Sequence, residues 1–177
     1  EGGGASATND THVPKPVRLK VLGRTLRVAE AVRQVAWFRF DELCERPLSA
    51  ADFIAVARAF HTVFLCGVPV VDVVADRNVA RRFITLVDEL YEHRVKLLWS
   101  MAAEDVKGIF RVPKFAPDDV VPEEVFAVDR TVSRLVAMQS SDYLKMEWTA
   151  VEVRDREDAK REEDAKREEE AGREAAG

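Results

Sequence analysis

Only two cysteines, Cys44 and Cys66, occur in 177 residues. Two thiols 22 positions apart cannot build a disulfide framework, which fits a reducing compartment. The sequence has no apolar run near the roughly 18 residues that a membrane span needs. Nowhere does it contain Gly-x-x-x-x-Gly-Lys-Ser/Thr, so this chain carries no phosphate loop. No Cys-x-x-Cys or His-x-x-x-His spacing marks a zinc site. A basic excess is missing too: 27 Lys and Arg face 32 Asp and Glu, for a net charge of −5, which argues against a nucleic-acid-binding face. The first residue is Glu1 and not Met, so either an upstream segment has been removed or the chain is an excerpt of a longer protein. The opening residues lack the basic and apolar regions of a signal peptide and the arginines of a transit peptide.

The hydrophobic fraction, 47%, is that of a globular protein. The charge is unevenly placed. Residues 154–174 hold seven basic and ten acidic side chains, which leaves the body before them close to neutral. The expected organisation is a flexible segment over residues 1–15, a folded part over 16–148 and a charged low-complexity tail over 149–177. Alanine is almost the only apolar residue of the charged repeat from Arg154, so the tail is expected to be a lone solvated helix or disordered and not a coiled coil.

Within the body, Val17–Val21 and Thr25–Val28 alternate apolar and polar residues around Leu22-Gly23-Arg24, the pattern of a β-hairpin with one wet face. The aromatic run from Val35 to Phe40 is a further strand. Ser49 with Asp52 reads as a capping box before a helical stripe of Phe53, Ile54, Val56, Ala57 and Phe60. Residues 62–66 and 95–99 are short apolar runs expected as strands buried on both faces. Between them Asn78 is expected to cap a helix whose stripe is Phe83, Ile84, Val87, Leu90 and Tyr91, ending near His93. Strand, helix, strand implies a βαβ unit with parallel pairing and a right-handed crossover. Pro113, Pro117 and Pro122 mark a loop, and Thr131 to Lys145 offers one broad apolar helical face. The fold class is therefore α/β, with a largely parallel sheet, packed helices and a β-hairpin.

Several groups are candidates for chemistry. Phe83 to Glu89 imitates an apolar strand ending in a metal-binding Asp and a catalytic Glu, but the stripe continues at helical spacing, so Asp88 and Glu89 are expected on a helix. Arg81 and Arg82 fall in the first turns of that helix, where the dipole disfavours cations, while Asp88, Glu89 and Glu92 sit at its other end. Such a reversed arrangement needs partners. The arginines either pair with Asp72 or Asp76 upstream or meet a nucleotide phosphate in the same or a neighbouring subunit. Cys44 and Cys66 are expected as small core hydrophobes, His61 as a structural residue, and Asp41, Glu42 and Glu45 as loop and cap groups.

Four blocks together resemble one family. They are Phe38-Arg39-Phe40-Asp41-Glu42-Leu43-Cys44-Glu45-Arg46-Pro47-Leu48-Ser49 through Phe53; Ala59-Phe60-His61-Thr62-Val63 with Gly67-Val68-Pro69; Asn78 through Tyr91; and Asp129-Arg130-Thr131-Val132-Ser133-Arg134-Leu135 through Leu144. In this order they resemble the C-terminal part of the AFG-one-like ATPases, a family with bacterial and mitochondrial members, and with the hairpin they cover residues 17–146. The chain departs from the family at Trp99-Ser100-Met101-Ala102-Ala103, where a Ser-Ala-Glu stretch is more usual, and in the loop from Pro113 to Glu124. The resemblance implies the C-terminal portion of a P-loop, AAA-like ATPase. It implies ATP and Mg2+ as cofactors, a homo-oligomer, and a role in mitochondrial protein quality control or in bacterial division. The family's phosphate loop and magnesium-binding strand have no counterpart in this chain. By resemblance, Arg81, Arg82 and Arg134 are the candidates for contact with phosphate or with a neighbouring subunit. Mitochondrial localisation follows from the family and the low-complexity tail, with the cytoplasm as the alternative. A second reading is a non-catalytic interaction module. If the fold is split, the isolated chain should expose apolar surface and self-associate.

Overall fold

The structure, a computed structural model, describes residues 13–112 and 122–149. The opening glycines, Pro113 and Pro117, and the charged repeat from Arg154 lie outside the described residues. The hairpin forms as expected from β1 (Lys15–Val21) and β2 (Arg24–Val32). Leu22 and Gly23 both take positive φ, 44° and 80°, which matches the right-handed twist of a two-residue hairpin turn. Strand β2 runs further than its alternation suggested. Between the pairs Val17↔Val28 and Lys15↔Ala31 it carries one extra residue, a β-bulge. The bulge leaves Ala29 and Glu30 exposed and returns Ala31 to the face that buries Leu26 and Val28.

After β3 (Val35–Arg39) come a π-helical turn (Asp41–Glu45), α1 (Ala50–Ala59), β4 (Thr62–Val68) and the short β5 (Val71–Asp72). Then follow α2 (Arg77–Glu92), β6 (Lys96–Met101), the short β7 (Phe110–Arg111), α3 (Pro122–Ala137) and α4 (Ser141–Lys145). The main sheet has the order β1-β2-β3-β4-β6. Strands β3, β4 and β6 are parallel, and the hairpin is antiparallel at one side. Two strand–helix–strand units therefore build it, β3–α1–β4 and β4–α2–β6. Strands β5 and β7 pair in parallel as a separate ribbon.

The capping box is present: Ser49 N–H and Oγ donate to Asp52 Oδ2 at 2.7 and 2.9 Å, and Arg24 from the hairpin pairs with the same carboxylate. Helix α2 corrects the expected cap. It begins at Arg77 with Asp76 at the cap position, and Ala80 N–H donates to the Asp76 carbonyl at 2.9 Å, so Asn78 lies within the first turn. Asp72 fixes this start by accepting from the N–H groups of Val74 and Ala75, at 3.0 Å each.

The core lies between α1, α2 and one face of the sheet. Val63, Leu65, Val56, Leu86 and Leu90 are fully buried there, and Phe83 packs against Phe40, Phe110 and Trp99. Two further expectations are corrected. Strands β4 and β6 are not buried on both faces: Phe64 is half-buried, and Cys66 and Leu98 are exposed. The apolar stretch from Thr131 to Lys145 is not one helix. It breaks at Met138–Ser140, where Ser140 Oγ accepts from Tyr143 N–H at 3.2 Å and starts α4, and Val136 and Leu144 face outward.

Helix α4 and the segment after it close the amino ends of the parallel strands. Lys96 Nζ, at the start of β6, donates to the carbonyls of Tyr143 and Met146 at 2.9 and 2.8 Å. Trp148 Nε1 donates to the Ala57 carbonyl at 2.9 Å and meets His61 edge-on, the structural setting expected for that histidine. Burial pulls the Lys96 ammonium below its ordinary range, and among the described residues the two carbonyls are what hold it. Lys96→Met keeps the stem and strands two carbonyls. It should lower stability by about 2 kcal/mol, read as a fall in the urea midpoint at unchanged slope.

Candidate functional site at the carboxyl ends of the parallel strands

The carboxyl ends of β3 and β4 lie at the opposite end of the sheet. In open α/β sheets this is where ligands bind. A cleft of about 470 Å³ lies there, between Phe40 and Glu45 after β3, Pro69 and Val70 after β4, and Asp76 and Val79 at the start of α2. The π-helical turn shapes one wall. Arg39 N–H donates to Glu42 Oε2 at 2.8 Å, and the Arg39 guanidinium grips Asp41 through two bonds of 2.9 and 2.8 Å. That contact holds the Asp41 carboxyl below its usual range. Asp41 and Glu42 are thus occupied in shaping the turn, as expected of loop and cap groups.

Arg82 reaches this wall from α2. Its Nε donates to the Cys44 carbonyl at 2.5 Å, and among the described residues its two Nη groups make no hydrogen bond. Arg82 therefore does not pair with Asp72 or Asp76; a backbone carbonyl anchors it. Arg81, the preceding residue, is exposed, and its carbonyl accepts from Thr85 Oγ1 at 2.8 Å. The first N–H groups of α2 open toward the same end, with no side chain capping them. Glu45 and Asp76 line the cleft itself, so an anion is better placed against the arginines at its margin than deep between the carboxylates.

Arg134 sits elsewhere. From α3 it lies 2.5 Å from Asp88 and 3.2 Å from Glu92, with its guanidinium over the Tyr91 ring, and Arg130 bonds Asp88 at 2.9 Å. The reversed charge pattern of α2 is answered here: its acidic half meets the arginines of α3. Arg134 is not brought together with Arg82. Asp88 and Glu89 lie on the helix, as their spacing predicted, away from any strand end.

The cysteines divide. Cys44 is buried and its thiol is pushed far up by desolvation, whereas Cys66 is exposed on the sheet, which corrects its expected place in the core. A thiol reagent at neutral pH should therefore modify one cysteine quickly in the native chain and two in denaturant, with peptide mapping identifying Cys66 as the fast one. Among the described residues, no group of three or more His, Cys, Asp or Glu is placed to hold a metal ion, and no helix is long and apolar enough to cross a membrane.

Comparison with known proteins agrees with the blocks read from the sequence. The model of the AFG1-like ATPase family matches residues 7–147. Lactation elevated protein 1 homolog B of Danio rerio is 31% identical over 159 residues, covering 77% of this chain and 31% of that protein. Cell division protein ZapE of Escherichia coli K12 is 38% identical over 132 residues, covering 75% of this chain and 32% of ZapE. Uncharacterized protein C115.02c of Schizosaccharomyces pombe is 30% identical over 148 residues, covering 71% and 32%. No solved structure matches. The chain spans about a third of the length of the curated relatives it matches. With a match over most of its length, the chain belongs to the AFG1-like ATPase family.

Proposed function

We propose that this chain is the C-terminal portion of an AFG1-like P-loop ATPase, and that it completes an ATP site whose phosphate loop and Mg2+ ligands lie in a preceding portion. In this reading Arg82, with Arg81 beside it, reaches a nucleotide phosphate or the site of a neighbouring subunit in a homo-oligomer. The anchoring of Arg82 carries the reading: one nitrogen fixed on the Cys44 carbonyl leaves a preoriented pair of donors for an anion. Arg134 acts as the tie between α2 and α3. The ATPase would serve mitochondrial protein quality control, as the family resemblance implies, or division, as the name of ZapE records.

The test uses a joined polypeptide, in which the part of E. coli ZapE preceding its matched stretch is followed by residues 13–177. A slowly hydrolysed ATP analogue with Mg2+ should slow amide exchange across residues 77–84, where the first-turn amides lack intrahelical partners. Protection confined to the ZapE portion would refute the assignment of Arg82.

A further inference from the structure

The two faces of the parallel strands are unequal. Phe38, Leu65 and Trp99 stand side by side toward α1 and α2, where Phe38 meets Phe60 and Trp99 meets Phe83. Their neighbours Trp37, Phe64 and Leu98 form the matching row on the opposite face. Trp37 and Phe64 stack at 5.0 Å with planes 8° apart, Leu98 is 46% exposed, and none of the three packs against the buried core. Cys66 follows Phe64 on the same face.

Parallel strands normally have both faces covered. Here both crossover helices are used on one face. The rest of the chain has few large apolar groups to cover the other: in residues 150–177 only Val151 and Val153 are apolar and larger than alanine, residues 1–12 offer only His12 and two alanines besides small and polar groups, and residues 113–121 add Phe115, Val120 and Val121, too few for a row of three strands. The relatives, in contrast, are about three times as long as the stretch they share with it.

We infer that the Trp37–Phe64–Leu98 face is the docking surface for amphipathic helices of the preceding, phosphate-loop portion of the ATPase. The inference rests on the proposed function, since that reading supplies the occupant. The partner presents an apolar helical face to the aromatic row and polar groups to its rim, where Glu30 and Arg39 stand.

Cys66 is a native reporter of this face. In the joined polypeptide its maleimide labelling rate, followed by peptide mass spectrometry, should fall at least about tenfold relative to the 177-residue chain alone. Leu98→Glu should restore fast labelling in the joined polypeptide and shift the thermal midpoint of the chain alone by only a few degrees, because among the described residues Leu98 does not pack against the buried core. Leu98→Ala should have the same direction of effect, smaller. If the joined polypeptide hydrolyses ATP while Cys66 labels at the rate of the chain alone, this surface is wrong and the proposed function stands. No protection and no hydrolysis would overturn both. Slow labelling of the chain alone that becomes fast on dilution would make a second copy the occupant, and would overturn the inference.

Discussion

Arg82→Ala in the joined polypeptide should lower ATP turnover by about 10³-fold or more, the range set by removing an arginine from a phosphoryl-transfer site. The Nε bond to the Cys44 carbonyl fixes the guanidinium plane, so the two Nη donors meet a phosphate with little ordering left to do. Arg82→Lys should recover little, since a lysine cannot hold the carbonyl and present a two-pronged donor at once. Arg134→Ala behaves differently. It removes one of the two arginines that meet Asp88 and the one that meets Glu92, so it should lower the stability of the α2–α3 contact while leaving the turnover of the folded protein within a few-fold. Steady-state turnover measured beside a urea unfolding curve separates the two outcomes. Equal losses of turnover at Arg82 and Arg134 would remove the distinction drawn between them.

Phe83→Ala should destabilise the chain by about 3–5 kcal/mol, the range for removing a fully buried phenylalanine ring. Phe83 is fully buried and sits among Phe40, Phe110 and Trp99, at ring separations of 5.4, 5.6 and 6.4 Å. Its removal opens a cavity between α2, the turn after β3 and the β5–β7 ribbon, the elements that wall the cleft. Phe83→Leu refills most of that volume and should cost about 1 kcal/mol or slightly more. Urea unfolding followed by far-ultraviolet circular dichroism measures both. A loss below 1 kcal/mol for the alanine variant would mean that the aromatic cluster is not packed as described.

The fold class was readable in the sequence because its signals are local. Ser49 with Asp52, the stripe of α2 and the alternation of the hairpin each declare an element within a dozen residues. Signals that depend on distant partners were not readable. The apolar runs of β4 and β6 looked buried on both faces, yet Phe64 and Leu98 have no layer over them among the described residues, because run length does not reveal how many layers cover a strand. The bulge in β2 hides from a period-two reading, since it shifts the period to keep Ala31 inside. The apolar stretch after Thr131 looked continuous, and only the Ser140 bond to Tyr143 N–H shows where it breaks. The candidate site divides likewise. Arg81 and Arg82 stood out as cations at the wrong helix end, and that oddity pointed to a partner. That Arg82 is held by the backbone of Cys44 carried no sequence signal, since a carbonyl is present at every residue. Arg134 was a family match, whereas its ion pairs with Asp88 and Glu92 depend on how α3 lies along α2.

The decisive measurement is ATP turnover, made side by side on the purified 177-residue chain and on the joined polypeptide. The chain alone should release phosphate no faster than buffer, and the joined polypeptide should hydrolyse ATP. Turnover by the chain alone, undiminished by Arg82→Ala, would contradict the claim that it completes a site built around a phosphate loop held elsewhere.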